Sequence, residues 1–176
     1  MKSGFYMIPL SGLKEGNHLY DFKIDDEFFA EFEESEIKSA DLTAFIRLIK
    51  RSAHVELKVE LKGSVEIMCD RCLENFFQEI NAENDLFIKY GNNREEVDDK
   101  VVIIPFGESG LDLKQLIYEF AHLGLPLQRI HPDDKKGNST CSPEMLMKLG
   151  EHMISRNEGI DPRWQELNKL KDNLSN

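Results

Sequence analysis

Cys69 and Cys72 bracket Asp70 and Arg71 directly after a run of alternating apolar residues. Two thiols three positions apart can grip one tetrahedral ion when the backbone turns between them. A complete site needs two further ligands. His131 and Cys141 flank one polar loop, and Cys141 is the only other cysteine in the chain. Cys69, Cys72, His131 and Cys141 together make a Cys₃His donor set, which suits one structural zinc ion. Two alternatives stand beside it. One is a metal-free knuckle with reduced, partly buried thiols. The other is a redox pair, which normally opens a helix whose dipole lowers a thiol pKa. Leu73-Glu74-Asn75-Phe76-Phe77-Gln78 shows no amphipathic helical pattern, which counts against that role. Among the other histidines, His122 reads as a packed side chain or helix C-terminal partner. His18, His54 and His152 lack ligand-type neighbours.

Positive charge is the second chemical resource. Lys58 and Lys62 project from the polar face of one strand, Arg47, Lys50 and Arg51 adjoin its end, and Arg71 sits within the knuckle. Gathered on one face, these six would form an RNA-binding surface. Glu56 and Glu60 alternate with the lysines, so a solvated strand face is the competing expectation. The chain has 33 acidic and 22 basic side chains and a net charge of −11, which disfavours nonspecific attraction to phosphate.

No glycine-rich phosphate loop, nucleophile elbow or His-Glu-x-x-His motif is present. The carboxylate pairs at 25–26, 98–99 and 133–134 fall in turns or loops, where solvated charge is the ordinary outcome. No catalytic residue and no small-molecule substrate are therefore expected.

The elements that must position these groups are mostly strands. Residues 2–10 and 18–24 read as strands, and Asp25 as the N-cap of a short helix through Phe32. Leu42, Ala44, Ile46 and Leu48 alternate along one strand, and Val55, Leu57, Val59 and Leu61 along the next. That is the pattern of half-buried antiparallel strands. Gly63 is expected to mark a bulge. Residues 76–90 resume β character, 91–100 form an acidic loop, and 101–104 a buried strand. Helices follow from Leu111 to a stop at Gly124, from Ser142-Pro143, and from Asp161-Pro162, where Trp164, Leu167 and Leu170 share a face. The expected fold is α+β: a curved antiparallel sheet or partly open barrel, one packing helix and a helical C-terminal extension.

The 176 residues suit one β-rich domain over 1–141, carrying the knuckle, with a helical extension over 142–176. No apolar run reaches the ~18 residues of a membrane span. The N-terminal apolar stretch is broken by Pro9 and Gly12, unlike a signal peptide. Three cysteines, an odd number, fit a reducing compartment better than a disulfide framework. The cytoplasm is the expected location, with no membrane contact.

The segment Cys69-Asp70-Arg71-Cys72-Leu73-Glu74 resembles the Cys-x-Arg-Cys-Leu hallmark of the YceD family. The likeness continues through Leu111-Asp112-Leu113, Leu123-Gly124-Leu125-Pro126-Leu127, His131, Cys141 and the closing Asp161-Pro162-Arg163-Trp164. The family pattern carries over onto Cys69, Arg71, Cys72, Pro126, His131 and Cys141. The resemblance implies a bacterial, non-enzymatic factor needed for accumulation of large-subunit (23S) ribosomal RNA. Its partner would be that RNA or its precursor, or a basic ribosomal protein. In the first case Arg71, Lys58 and Lys62 would make the contacts. In the second, a zinc-stabilised adaptor would shield a basic client, using the acidic segments 25–36 and 95–99.

Overall fold

The computed structural model describes residues 6–98 and 100–153. These fall into two compact units that meet at the Cys141/Ser142 boundary. In the first unit, chain order is β1 (Met7–Pro9), β2 (Gly16–Ile24), α1 (Asp26–Ala30), β3 (Ser39–Lys50), β4 (His54–Met68) and β5 (Asn75–Gly91). It continues with β6 (Glu95–Asp98), β7 (Val101–Pro105), β8 (Gly110–Asp112) and α2 (Lys114–Leu123). The second unit contributes α3 (Pro143–His152). Its Ser142-Pro143 start places proline where a missing N–H costs nothing, and Lys148 pairs with Glu144 one turn away. The helix expected from Asp161-Pro162, with Trp164, lies outside the described residues.

The main sheet has six strands in the order β2-β3-β4-β5-β7-β6, and a two-stranded sheet joins β1 to β8. All pairings are antiparallel except β5 with β7. The fold is thus mixed α and β around a largely antiparallel sheet. It is not a closed barrel, because β2 and β6 end the strand order unpaired with each other.

Alternation decides which face is dry. Leu42, Ala44, Ile46 and Leu48 on β3, and Val55, Leu57, Val59 and Leu61 on β4, are all buried, as period-two spacing requires. Two helices cover this face, where one was expected. Asp25 caps α1, accepting from the Phe28 backbone N–H, and sets Phe28 and Phe29 into the core edge-to-face. Helix α2 inserts Ile117, Phe120 and Ala121. Its Gly124 stop approaches β5 so closely that a Cβ there would stand 2.9 Å from that of Ala82.

Three local expectations need correction. Gly63 is not a bulge, since β3 and β4 keep unbroken register through the Leu42–Gly63 pair. Its φ of +138° and a Cβ position only 2.1 Å from the Asp41 carbonyl oxygen explain why glycine stands there. The acidic stretch after Gly91 is not all loop, because Glu95–Asp98 pairs with β7 as an edge strand. The segment 110–112 is strand, not helix, because β1 captures it.

Candidate metal centre

The β4–β5 hairpin is the platform of the knuckle. The two strands pair from His54–Lys89 to Met68–Asn75, and residues 69–74 close the connection. The Cys69 N–H donates to the Glu74 carbonyl and the Leu73 N–H to the Cys69 carbonyl, both at 2.9 Å. This tight turn requires Leu73 to adopt φ +62°. Cys72 then leads into β5 and not into a helix, so the setting of a redox pair is missing.

A second segment is tied across the first. The Asp70 N–H donates to the Arg129 carbonyl at 2.7 Å. In return the Arg129 N–H donates to the Asp70 carboxylate at 2.8 Å. The Arg129 guanidinium also pairs with Glu36. This clamp delivers His131, whose ring lies 4.7 Å from the Phe76 ring of β5. The loop from 132 to 140 then folds back on itself. The Asp134 carboxylate accepts the Lys136 and Asn138 N–H groups at 2.7 and 2.8 Å, and these bonds lower its pKa. The Thr140 hydroxyl donates to the Pro132 carbonyl at 2.7 Å. The loop thereby returns Cys141 to His131.

All four ligand atoms lie within 4.8 Å of one another. The Cys69 and Cys141 sulfurs are 3.8 Å apart. His131 Nδ1 is 3.4 Å from the Cys72 sulfur and 3.7 Å from that of Cys141. A tetrahedron with zinc–sulfur arms of ~2.3 Å and a zinc–nitrogen arm of ~2.0 Å has S–S edges of about 3.8 Å and S–N edges of about 3.5 Å. These three edges fit that figure. The three thiols are buried and free of disulfides.

Electrostatics prepares one thiolate. Burial pushes the Cys69 thiol up, but the N–H groups of Cys72 and Arg71, joined by those of His131, outweigh it. The pKa falls from the ordinary 9.0 to about 6. For Cys141 burial dominates and raises the pKa; the Ser139 hydroxyl lowers it, and the neighbouring thiols raise it further. A bound dication would favour the deprotonated form of every thiol.

The basic residues singled out from the sequence do not gather into one patch. Arg47 and Lys58 are register partners on β3 and β4. Lys58 pairs with Glu83 at 2.7 Å, Lys62 with Glu60 at 2.6 Å, and Arg51 with Glu56. Lys50 is occupied elsewhere, donating to the Leu10 and Leu13 carbonyls at 2.9 and 2.8 Å. Arg71 follows the far end of β4, roughly 35 Å from Lys58 at ~3.3 Å per residue. It donates to the Ser139 hydroxyl at 3.3 Å.

Cys69, Cys72, His131 and Cys141, expected from the sequence to share one site, do lie together; the groups that hold them there were not expected. No positioning role was expected of Asp70, Arg129, Phe76 or Asp134, the last of which reads from the sequence as solvated charge. Only Asp134 carried a signal, as the aspartate opening a Lys-Gly-Asn turn.

Fold and site together define a mixed α and β chain in which Cys69, Cys72, His131 and Cys141 converge; among the described residues no helix is long and apolar enough to cross a membrane. The family model described as large ribosomal RNA subunit accumulation protein YceD matches residues 57–171. The chain belongs to that family, which supports a role in ribosome biogenesis. No curated protein and no solved structure matches the chain.

Proposed function

We propose that this protein is a non-enzymatic assembly factor of the large ribosomal subunit. It acts in the cytoplasm, and its Cys₃His centre holds one structural zinc ion. In this reading it supports 23S RNA accumulation by holding a basic ribosomal protein until that protein meets its RNA. The observation that carries the choice of client is the charge on the open sheet face. Along β4 and β5 the outward positions bear Glu56, Glu60, Glu66, Glu79, Glu83 and Asp85 against Lys58, Lys62 and Lys89. Lys58 and Lys62 are each paired with a carboxylate. Such a face attracts a polycation and repels phosphate. The segments 25–36 and 95–99 are also acidic in sequence. Depleting the protein in its source cells should lower 23S RNA relative to 16S RNA. Affinity capture after nuclease treatment should retain one basic large-subunit protein. Unchanged 23S RNA would remove the biogenesis role, and loss of all partners with the RNA would remove the protein client.

A second reading rests on a different observation. Arg47 and Lys58 line a cleft of about 360 Å³ beside exposed Leu19 and Phe45. A nucleobase stacked on Phe45 with its phosphate near Arg47 would fit single-strand recognition. Lys62, Lys50, Arg51 and Arg71 would then be further contacts. Crosslinking followed by sequencing separates the readings: direct contact requires enrichment of large-subunit RNA that an Arg47→Glu, Lys58→Glu variant loses.

A further inference from the structure

Leu73 is the one non-glycine residue with positive φ among the described residues. The left-handed conformation comes readily to glycine and at a lower cost to asparagine than to a branched apolar side chain. The knuckle turn demands the conformation but makes no use of the side chain, which is 59% exposed. Neither backbone geometry nor core packing accounts for leucine at this position. Its surroundings point to a contact.

Met68 and Phe77 occupy outward positions on the two strands that the knuckle joins. They are 55% and 63% exposed. Met68 pairs with Asn75 and Glu66 with Phe77, so Met68 and Phe77 are diagonal neighbours on one face. The hairpin end therefore presents three large apolar side chains to solvent. Glu66, Glu74 and Glu79 stand around them, and none of these forms an ion pair among the described residues. Of the nearby cations, Arg129 is engaged by Glu36, while Arg71 bonds the neutral Ser139 hydroxyl. Lys38 stands across from Glu66, its backbone N–H donating to the Glu66 carbonyl, so carboxylates outnumber the uncommitted cations here three to two among the described residues. Phosphate and a second, equally acidic copy of this chain are both disfavoured here by charge. A cationic partner bearing apolar side chains matches both features.

We propose that the hairpin end is the docking surface for a basic amphipathic segment of a protein client, with Leu73 as its central anchor flanked by Met68 and Phe77. The proposal rests on the protein-client reading above and locates its contact. A strained, exposed leucine is then kept for binding and not for folding.

The test uses the full chain, its Leu73→Gly variant and two synthetic peptides of equal charge, one repeating Lys-Leu-Arg-Ser and one repeating Lys-Ser-Arg-Ser. Leu73→Gly should melt no lower than the parent and keep its metal content, while binding the leucine-bearing peptide roughly tenfold more weakly. The serine peptide should bind parent and variant alike. Phe77→Ser should weaken the leucine peptide in the same direction. Equal binding of the leucine peptide by parent and Leu73→Gly would overturn the proposal. So would a lower melting temperature for Leu73→Gly, a dimer that this change abolishes, or an RNA fragment whose binding depends on Leu73. Unchanged 23S RNA on depletion sinks the biogenesis role but leaves the peptide result intact, so the two failures are distinguishable.

Discussion

The sulfurs of Cys69 and Cys141 lie 3.8 Å apart although 72 positions separate them in the chain. Two short devices close that distance. The reciprocal Asp70–Arg129 hydrogen bonds bring the segment after α2 onto the knuckle. The Asp134 turn then reverses the loop so that Cys141 meets His131. Three buried thiols and one imidazole converge as a result, and each prediction about the centre follows from this convergence.

Protein purified without added metal should contain one zinc ion per chain by elemental analysis. Cys141→Ser removes one corner of the tetrahedron and should abolish stoichiometric zinc, with a clear fall in melting temperature. A fully folded protein free of metal would exclude the centre.

Asp70→Ala should keep all four ligands but weaken zinc. The lost carboxylate releases the Arg129 N–H, and with it the segment that aims His131. Outer-shell changes of this kind typically cost 10–100-fold in metal affinity, on the order of 1–3 kcal/mol. Competition against a chromogenic chelator measures the loss, and an unchanged affinity would show that the clamp does not position the ligand.

Metal-stripped protein should become more stable as pH rises from about 6 toward 9. The folded-state pKa of Cys69 lies at about 6 against an ordinary 9.0. Across that window the unfolded chain holds a proton that the folded chain has released, so stability increases with pH. It is lost again as pH falls through the folded value. Cys141, raised by burial, has the opposite sign and erodes stability above its ordinary 9.0. Urea midpoints across this range check the prediction, and Cys69→Ser should flatten the rise below pH 9.

Gly63→Ala should destabilise the domain by about 2 kcal/mol or more. The added methyl meets the Asp41 carbonyl oxygen and the backbone φ of +138° is closed to alanine. Denaturant titration reads the loss. A change under ~0.5 kcal/mol would mean that β3 and β4 separate easily at this point.

Much of the sheet was legible because alternation is local. The burial of Leu42 through Leu48 and Val55 through Leu61 follows from their spacing, as does the wet face carrying Lys58 and Lys62. Gly63 misled for a reason that is equally clear. A glycine in a strand signals either a bulge or a close backbone approach, and only the register with β3 tells them apart. The 95–98 and 110–112 segments were misread because each becomes a strand only when a partner captures it.

By itself the sequence determined the donor types, the antiparallel strands beneath them and the family pattern linking Cys69 to Cys141. Donor chemistry and period-two burial are properties of residues and their near neighbours, so they can be read along the chain. The tertiary structure alone decided that His131 and Cys141 reach the knuckle, that Lys58 and Lys62 are paired with glutamates while Arg71 stands far away, and that Leu73 is strained and exposed. Those outcomes depend on strand register, on one reciprocal hydrogen-bonded clamp and on a turn that must close to form its ring of bonds. Each couples residues across tens of positions, and no local pattern encodes such a distance.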